Sequence, residues 1–216
     1  TLPDTVTELT NYANQKCNGQ DAVTLQTAFA LSCNTAFVEM SEQLGADELR
    51  KYAKAFGVGE NYDLGVSTSA GTLGDLPDGA ATAQSAIGQR DVTMTALQAA
   101  VMAGTVANKG TRMQPYLVNR ITDAQMKDVR TTKPKKADQA VNEETAATLT
   151  DLMYASERSS WGYDGNGFAS KTGTAEHGEG LAPHVWYVAF DPERDIAVGV
   201  VVKNGGNLGE SATGGK

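Results

Sequence analysis

The sequence predicts an α+β domain: an antiparallel sheet flanked by helices, with the helices in the earlier part of the chain and the strands at its end. Three observations carry this. The first 157 residues hold stretches whose apolar positions recur at the helical period. The last third changes period, and "GFASKTGT", "HVWYVAF" and "DIAVGVVVKN" read as three strands, with "DPERD" turning the last two into a meander. A length of 216 residues with 40% hydrophobic content suffices for one core and a small subdomain.

The elements follow in order. Residues 1–20 read as loop, punctuated by Pro3, Asn18 and Gly19. Asp21 is a candidate cap for a helix, and Leu25, Phe29 and Leu31 open an apolar stretch that ends at Gly45, a natural C-terminal stop. In "ADELRKYAKAFG", Leu49, Tyr52, Ala53 and Phe56 form one helical stripe, and Gly57 ends it. Residues 57–83 are rich in Gly, Ser, Thr, Asp and Pro and read as one long loop. A third helix, "TMTALQAAVMAGTVANKG", is capped by Thr93 or Thr95, and "RMQPYLVNRIT" after it reads as extended. Lys133-Pro134-Lys135-Lys136 reads as a solvated loop. In "NEETAATLTDLMYASE", Asn142 caps a fourth helix, with acidic residues in its first turn to suit the helix dipole.

Composition narrows the function classes. The chain carries 18 basic and 26 acidic residues, a net charge of −8, which argues against nucleic-acid binding. No apolar run is long enough to span a membrane, and no basic-then-apolar leader opens the chain. The absence of an initiator Met reads as a piece cut from something longer. Cys17 and Cys33 are the only cysteines, and two readings stay open: buried thiols, or a disulfide made in an oxidising compartment. With only His177 and His184 beside them, neither a zinc site nor any other metal or cofactor is expected.

Two short stretches could carry chemistry. Ser32, Asn34 and Thr35 interrupt the apolar run "AFALSCNTAFVEM". Periodicity alone favours a helix break with Ser and Asn capping the next helix; the alternative is two short polar arms presented to a cleft. Lys171-Thr172-Gly173-Thr174 ends a strand. A Lys-Thr there serves often enough only to protect a sheet edge. Gly173 shifts the reading, because it removes bulk where another backbone could run along the strand, and the cation and hydroxyls beside it suit a carboxylate. No G-x-S-x-G exists, and neither histidine has an evident serine partner.

Ser32-Cys33-Asn34 and Lys171-Thr172-Gly173, in this order, resemble two of the three motifs of penicillin-binding proteins and serine β-lactamases. "LSCNTAF", "AIGQRDVTMTALQAAVMAGTVANKG" followed by "MQPYLV", "ASKTGTAEHG" and "PHVWYVAFDP" narrow the resemblance to the transpeptidase domain of class B penicillin-binding proteins. The cysteine pair and "SATGG" narrow it further, to the penicillin-binding protein A group of actinobacteria.

The resemblance implies an antiparallel sheet with flanking helices and a mostly helical subdomain, incomplete in residues 1–216. It implies D,D-transpeptidase activity: serine acyl transfer on peptidoglycan stem peptides ending in D-Ala-D-Ala, with β-lactams as inhibitors. Ser32 would relay protons to the leaving amine. Asn34 would hold the donor peptide's amide and orient a catalytic lysine. Lys171 would add positive potential and hydrogen-bond Ser32. Thr172 and Thr174 would bind the substrate carboxylate, and Gly173 would let the substrate lie along the strand. The Thr174 N–H would supply half of an oxyanion hole. Cys17 and Cys33 would be a disulfide of an exported domain. These residues would line one groove.

One departure is large. The family's nucleophile lies in a Ser-x-x-Lys upstream of Ser-x-Asn, and no Ser-x-x-Lys occurs in residues 1–216. The chain is therefore expected to be an internal or C-terminal piece of the domain, inactive alone and completed by a preceding part that carries the nucleophile. That part would follow an anchoring helix on the outer face of the bacterial membrane, beside a membrane glycan polymerase. A serine β-lactamase or β-lactam sensor shares the motifs, and a non-catalytic muropeptide-binding module would explain the absent nucleophile.

Overall fold

A computed structural model describes residues 2–3, 5–6, 8–11, 14–178 and 180–206. Five α-helices are assigned in it: α1 (Leu25–Ala30), α2 (Asn34–Ala55), α3 (Gly79–Ala86), α4 (Ala96–Ala107) and α5 (Glu143–Ser159). The strands are β1 (Thr111–Met113), β2 (Arg120–Thr122), β3 (Asp128–Thr131), β4 (Lys136–Gln139), β5 (Ala169–Ala175), β6 (His184–Asp191) and β7 (Ile196–Val202). The last three form an antiparallel sheet in the order β5-β6-β7. Two separate two-stranded ribbons pair β1 with β4 and β2 with β3.

The apolar first stretch is not one helix. Thr24, not Asp21, caps α1 by accepting from the Thr27 N–H at 3.2 Å, and Asp21 instead pairs with Lys16. The chain then breaks at Leu31–Cys33, where Ser32 takes a left-handed φ of 54°. Neither Ser32 nor Asn34 caps α2. The cap position is Cys33, whose sulfur is bonded to Cys17, and Asn11 Oδ1 accepts from the Thr35 N–H at 3.0 Å in its place. Gly45 (φ 79°, ψ 164°) interrupts α2 where the sequence places a stop.

Three other expectations change in detail. The long loop ends at Asp78, not at residue 83, because α3 begins at Gly79 with Asp78 as its cap. The sequence of α3, "GAATAQSA", lacks large apolar residues, so it shows no stripe; Ala81 and Ala83 are nonetheless buried against α2. Lys136 belongs to β4 rather than to a loop. The segment read as one extended run is divided between β1 and β2. Thr95 and Asn142 cap α4 and α5, the first in a reciprocal box with Gln98.

The core lies between the sheet and helices α4 and α5. Ala103, Val106, Met153, Ala169 and Phe190 are buried there, with Phe29 and Phe56 packed against them. Gly199 lets α4 approach β7 closely, since a Cβ at that position would lie 2.3 Å from the Ala96 carbonyl oxygen. A second cluster of Leu2, Val38 and Ala83 joins α2 to α3. Gln98, 1% exposed, ties the long loop to α4 by donating Nε2 to the carbonyls of Gly57 and Ala70. The "SATGG" segment lies outside the described residues.

Candidate active site

Among the described residues β5 is an edge strand: β6 pairs with one side and no strand pairs with the other. Successive side chains of a strand alternate between faces. Ala169, Lys171 and Gly173 therefore lie on the face packed by α4 and by Met153 in the middle of α5, with Val188 and Phe190 of β6, whereas Glu157 at the end of α5 meets Ser170 and Tyr187 of the other face. Ser170, Thr172 and Thr174 point to the other face.

The Lys171 ammonium reaches the break between α1 and α2 and donates to Ser32 Oγ, a residue 139 positions away in the chain. It also donates to the Thr172 carbonyl at 2.9 Å and lies 5.8 Å from the centre of the Phe29 ring. No carboxylate pairs with it among the described residues. Burial alone pushes its pKa down to about 8, so it is mostly a cation at neutral pH but a far better proton donor than an exposed lysine. With the ammonium donating to Oγ, the Ser32 hydroxyl proton is free to be given to a group in the cleft.

The open edge has an orientation. Gln89 Nε2 donates to the Thr174 carbonyl at 3.3 Å, so this carbonyl points away from β6. The N–H and C=O of one strand residue share a direction, which places the Thr174 N–H on the open edge as well. Thr172 lies two residues earlier and faces the same way. A Cβ at Gly173 would meet only Trp186 Cβ, at 3.4 Å, so nothing in this chain demands glycine there. Its missing side chain leaves the Lys171 side of the edge open.

Of the expected site residues, the fold brings Ser32 and Lys171 together across the chain. Thr172 and Thr174 share their edge but reach it from the opposite face. Asn34 begins α2 and donates Nδ2 to the Thr10 carbonyl at 3.3 Å, with no hydrogen bond to Ser32 or Lys171. Cys17 and Cys33 form a disulfide with a Cα separation of 5.6 Å, which fixes the residue next to Ser32. His177 and His184 stack with ring centres 3.9 Å apart at the mouth of the β5–β6 connection. Desolvation, then the charges of His177 and Lys203, lowers the His184 pKa. Among the described residues no group of three or more His, Cys, Asp or Glu is placed to hold a metal ion.

Sequence reasoning passed over Phe29 and Gln89 as site residues. Phe29 counted only as an apolar helix position, and Gln89 only as part of a longer block. Nothing local marks either one, since both meet β5 through the tertiary fold.

A family model described as the penicillin binding protein transpeptidase domain matches residues 3–216. The chain is 44% identical to the peptidoglycan D,D-transpeptidase PbpA of Mycolicibacterium smegmatis, over 99% of this chain and 45% of that protein. It is 40% identical to the PbpA of Mycobacterium tuberculosis over the same shares. A ceftriaxone acyl-enzyme complex of penicillin-binding protein A from M. tuberculosis superposes with a TM-score of 0.92 at 40% identity, covering 100% of this chain and 50% of that one. The chain thus spans about half the length of the curated relatives it matches. With motifs, fold and relatives in agreement, the chain belongs to the penicillin-binding protein transpeptidase family.

Proposed function

We propose that these residues form the substrate-edge half of a D,D-transpeptidase that cross-links peptidoglycan stem peptides and is inactivated by β-lactams. The observation that carries this is the Lys171–Ser32 contact at the open edge of β5. A donor peptide ending in D-Ala-D-Ala lies antiparallel along that edge, its carboxylate held by the Thr172 and Thr174 hydroxyls within the field of Lys171. The Thr174 N–H forms half of the oxyanion hole. A serine from a Ser-x-x-Lys segment, outside residues 1–216, attacks the carbonyl of the penultimate residue. Ser32 delivers a proton to the departing D-Ala, and Lys171 replenishes it. Asn34 Nδ2 is committed to Thr10, which leaves its amide oxygen for the donor's amide N–H. An amine acceptor then takes the acyl group.

The disulfide fits a domain on the outer face of the cell membrane. The proposed anchor is a helix preceding this domain; no helix among the described residues is long and apolar enough to cross a membrane. The preceding half of the domain and a membrane glycan polymerase are the proposed protein partners.

The test is intact mass spectrometry after incubation with a penicillin. Residues 1–216 alone form no covalent adduct, because they lack a Ser-x-x-Lys serine and the Lys171 amine beside Ser32 is mostly protonated and donates to its Oγ rather than taking its proton. Adding the Ser-x-x-Lys half of the domain restores a stoichiometric adduct on that serine. An adduct mapped to Ser32 in the isolated chain overturns the assignment, and rapid loss of the adduct marks a β-lactamase instead.

A further inference from the structure

Behind the strand that carries Lys171 lies a carboxylate that the proposed chemistry does not use. Glu157, on the last turn of α5, is 5% exposed. Its Oε2 accepts from Ser170 Oγ and, at 2.9 Å, from the Tyr187 hydroxyl. Its Oε1 accepts from Asn166 Nδ2 at 3.0 Å. Asn166 in turn accepts from the Phe168 N–H at 3.0 Å, at the entry to β5. No lysine or arginine pairs with Glu157 among the described residues.

The placement is specific. Ser170 immediately precedes Lys171, and Tyr187 is paired across the sheet with Thr172, which immediately follows it. One carboxylate therefore holds both strands at the two positions that flank Lys171, from the face opposite the ammonium. All 7 residues of β5 already pair with β6, so the clamp is not needed to form the sheet. A buried carboxylate is also a costly way to join strands where apolar packing would serve. What pairing with β6 leaves undetermined is the roll of an edge strand about its own axis, and that roll moves the tip of a long side chain on the other face. Resting on the reading of Lys171 as the cation of the site, we propose that Glu157 is a positioning residue, whose hydrogen bonds to Ser170 and Tyr187 set the roll of β5 and so hold the Lys171 ammonium on Ser32. It does not act through its charge, since burial alone accounts for the lowered proton affinity of Lys171. Tyr187, pushed up to about 12 mainly by its own burial, remains a donor throughout the working pH range.

The experiment follows Lys171 in the full-length protein by NMR with 13Cε-lysine labelling, the resonance assigned by its loss in Lys171→Arg. Penicillin acylation is measured alongside. In the wild type Lys171 titrates near pH 8. In Glu157→Ala the ammonium swings toward solvent, its titration moves up by about one unit or more, and acylation slows by about 10- to 100-fold. Glu157→Gln recovers part of both, because its amide oxygen still accepts from Ser170 and Tyr187. If Glu157→Ala does not fold, Ser170→Ala removes the β5 side of the clamp alone and shifts the titration in the same direction. An unchanged Lys171 titration in a folded variant overturns the proposal, whatever happens to melting temperature. If the titration moves while even the wild type is never acylated, the transpeptidase reading fails and the clamp stands.

Discussion

Lys171 and Lys136 are both lysines on strands with an unpaired edge, and their surroundings make them opposites. Lys136 lies on β4, exposed along its whole length, and its ammonium donates to Gln139 Oε1 at 2.7 Å in full contact with water. It does what a charged side chain on a ribbon edge ordinarily does, which is to discourage pairing with another chain. Lys171 lies on a strand backed by α4 and α5, with Phe29 beside its ammonium and Ser32 as its acceptor. The residue type and the local strand are the same; water is what differs. Removing it turns an inert cation into a group that titrates near pH 8 and can exchange a proton with a hydroxyl.

The largest expected difference between the two lysines is catalytic. In the full-length protein, Lys171→Ala slows penicillin acylation by about 100- to 1,000-fold, the range for removing one donor aimed at developing charge. Lys136→Ala leaves the rate as it was. Equal effects of the two substitutions in a stopped-flow acylation assay would erase the contrast.

The disulfide sharpens the comparison from the Ser32 side. Replacing Cys17 and Cys33 by Ser removes a covalent brace from the residue next to Ser32 and costs about 3 kcal/mol in the chain-entropy view. Urea unfolding of the double variant, set against the oxidised wild type, measures this. The loss is accompanied by a weaker Lys171–Ser32 contact, visible as an upward move of the Lys171 titration.

Burial of Lys171 also works against stability, and the sign follows from its pKa. The folded value near 8 lies below the ordinary 10.5, so the unfolded chain binds the proton more tightly. Below pH 8 the folded state bears the whole penalty. Between pH 8 and 10.5 the penalty fades as pH rises, and above 10.5 none remains. Lys171→Met therefore stabilises the protein at pH 7 by about 1–3 kcal/mol, less the hydrogen bonds it gives up, and the gain shrinks toward pH 10. Thermal unfolding at pH 7 and pH 10 tests the sign: a gain that grows with pH contradicts a desolvated lysine.

The smallest effect is the control on the ribbon. Lys136→Met changes stability by no more than about 0.5 kcal/mol at either pH, as an exposed substitution does. A larger change would mean that the β1–β4 ribbon is covered in the full-length protein.

Much of the fold is legible in the chain because it rests on local rules. Thr95 and Asn142 cap helices by reaching donors three residues on, and the meander from β5 to β7 has its apolar alternation and its "DPERD" turn written consecutively. The misplaced elements fail where those local rules fall short. α3 is too poor in large side chains to show a stripe, and the α1–α2 break is capped from Asn11, more than twenty residues away. The motifs Ser32-Cys33-Asn34 and Lys171-Thr172-Gly173 were visible as words, but their weight came from resemblance; residue by residue, periodicity favoured a helix break for the first, and only Gly173 shifted the second from edge protection toward a ligand.

By itself, then, the sequence determined which elements form, where most of them stop, and which short motifs the chain carries, since propensity, capping and periodicity act over a few residues. Tertiary structure decided that Lys171 meets Ser32 across 139 positions, that its ammonium lies beside the Phe29 ring, and that Glu157 accepts hydrogen bonds from Ser170 and Tyr187. Desolvation and hydrogen-bond geometry depend on which distant residues share a few ångströms of space. A one-dimensional pattern carries no measure of that distance, so the same lysine-bearing strand is read as edge protection in β4 and as chemistry in β5 only once the chain has folded.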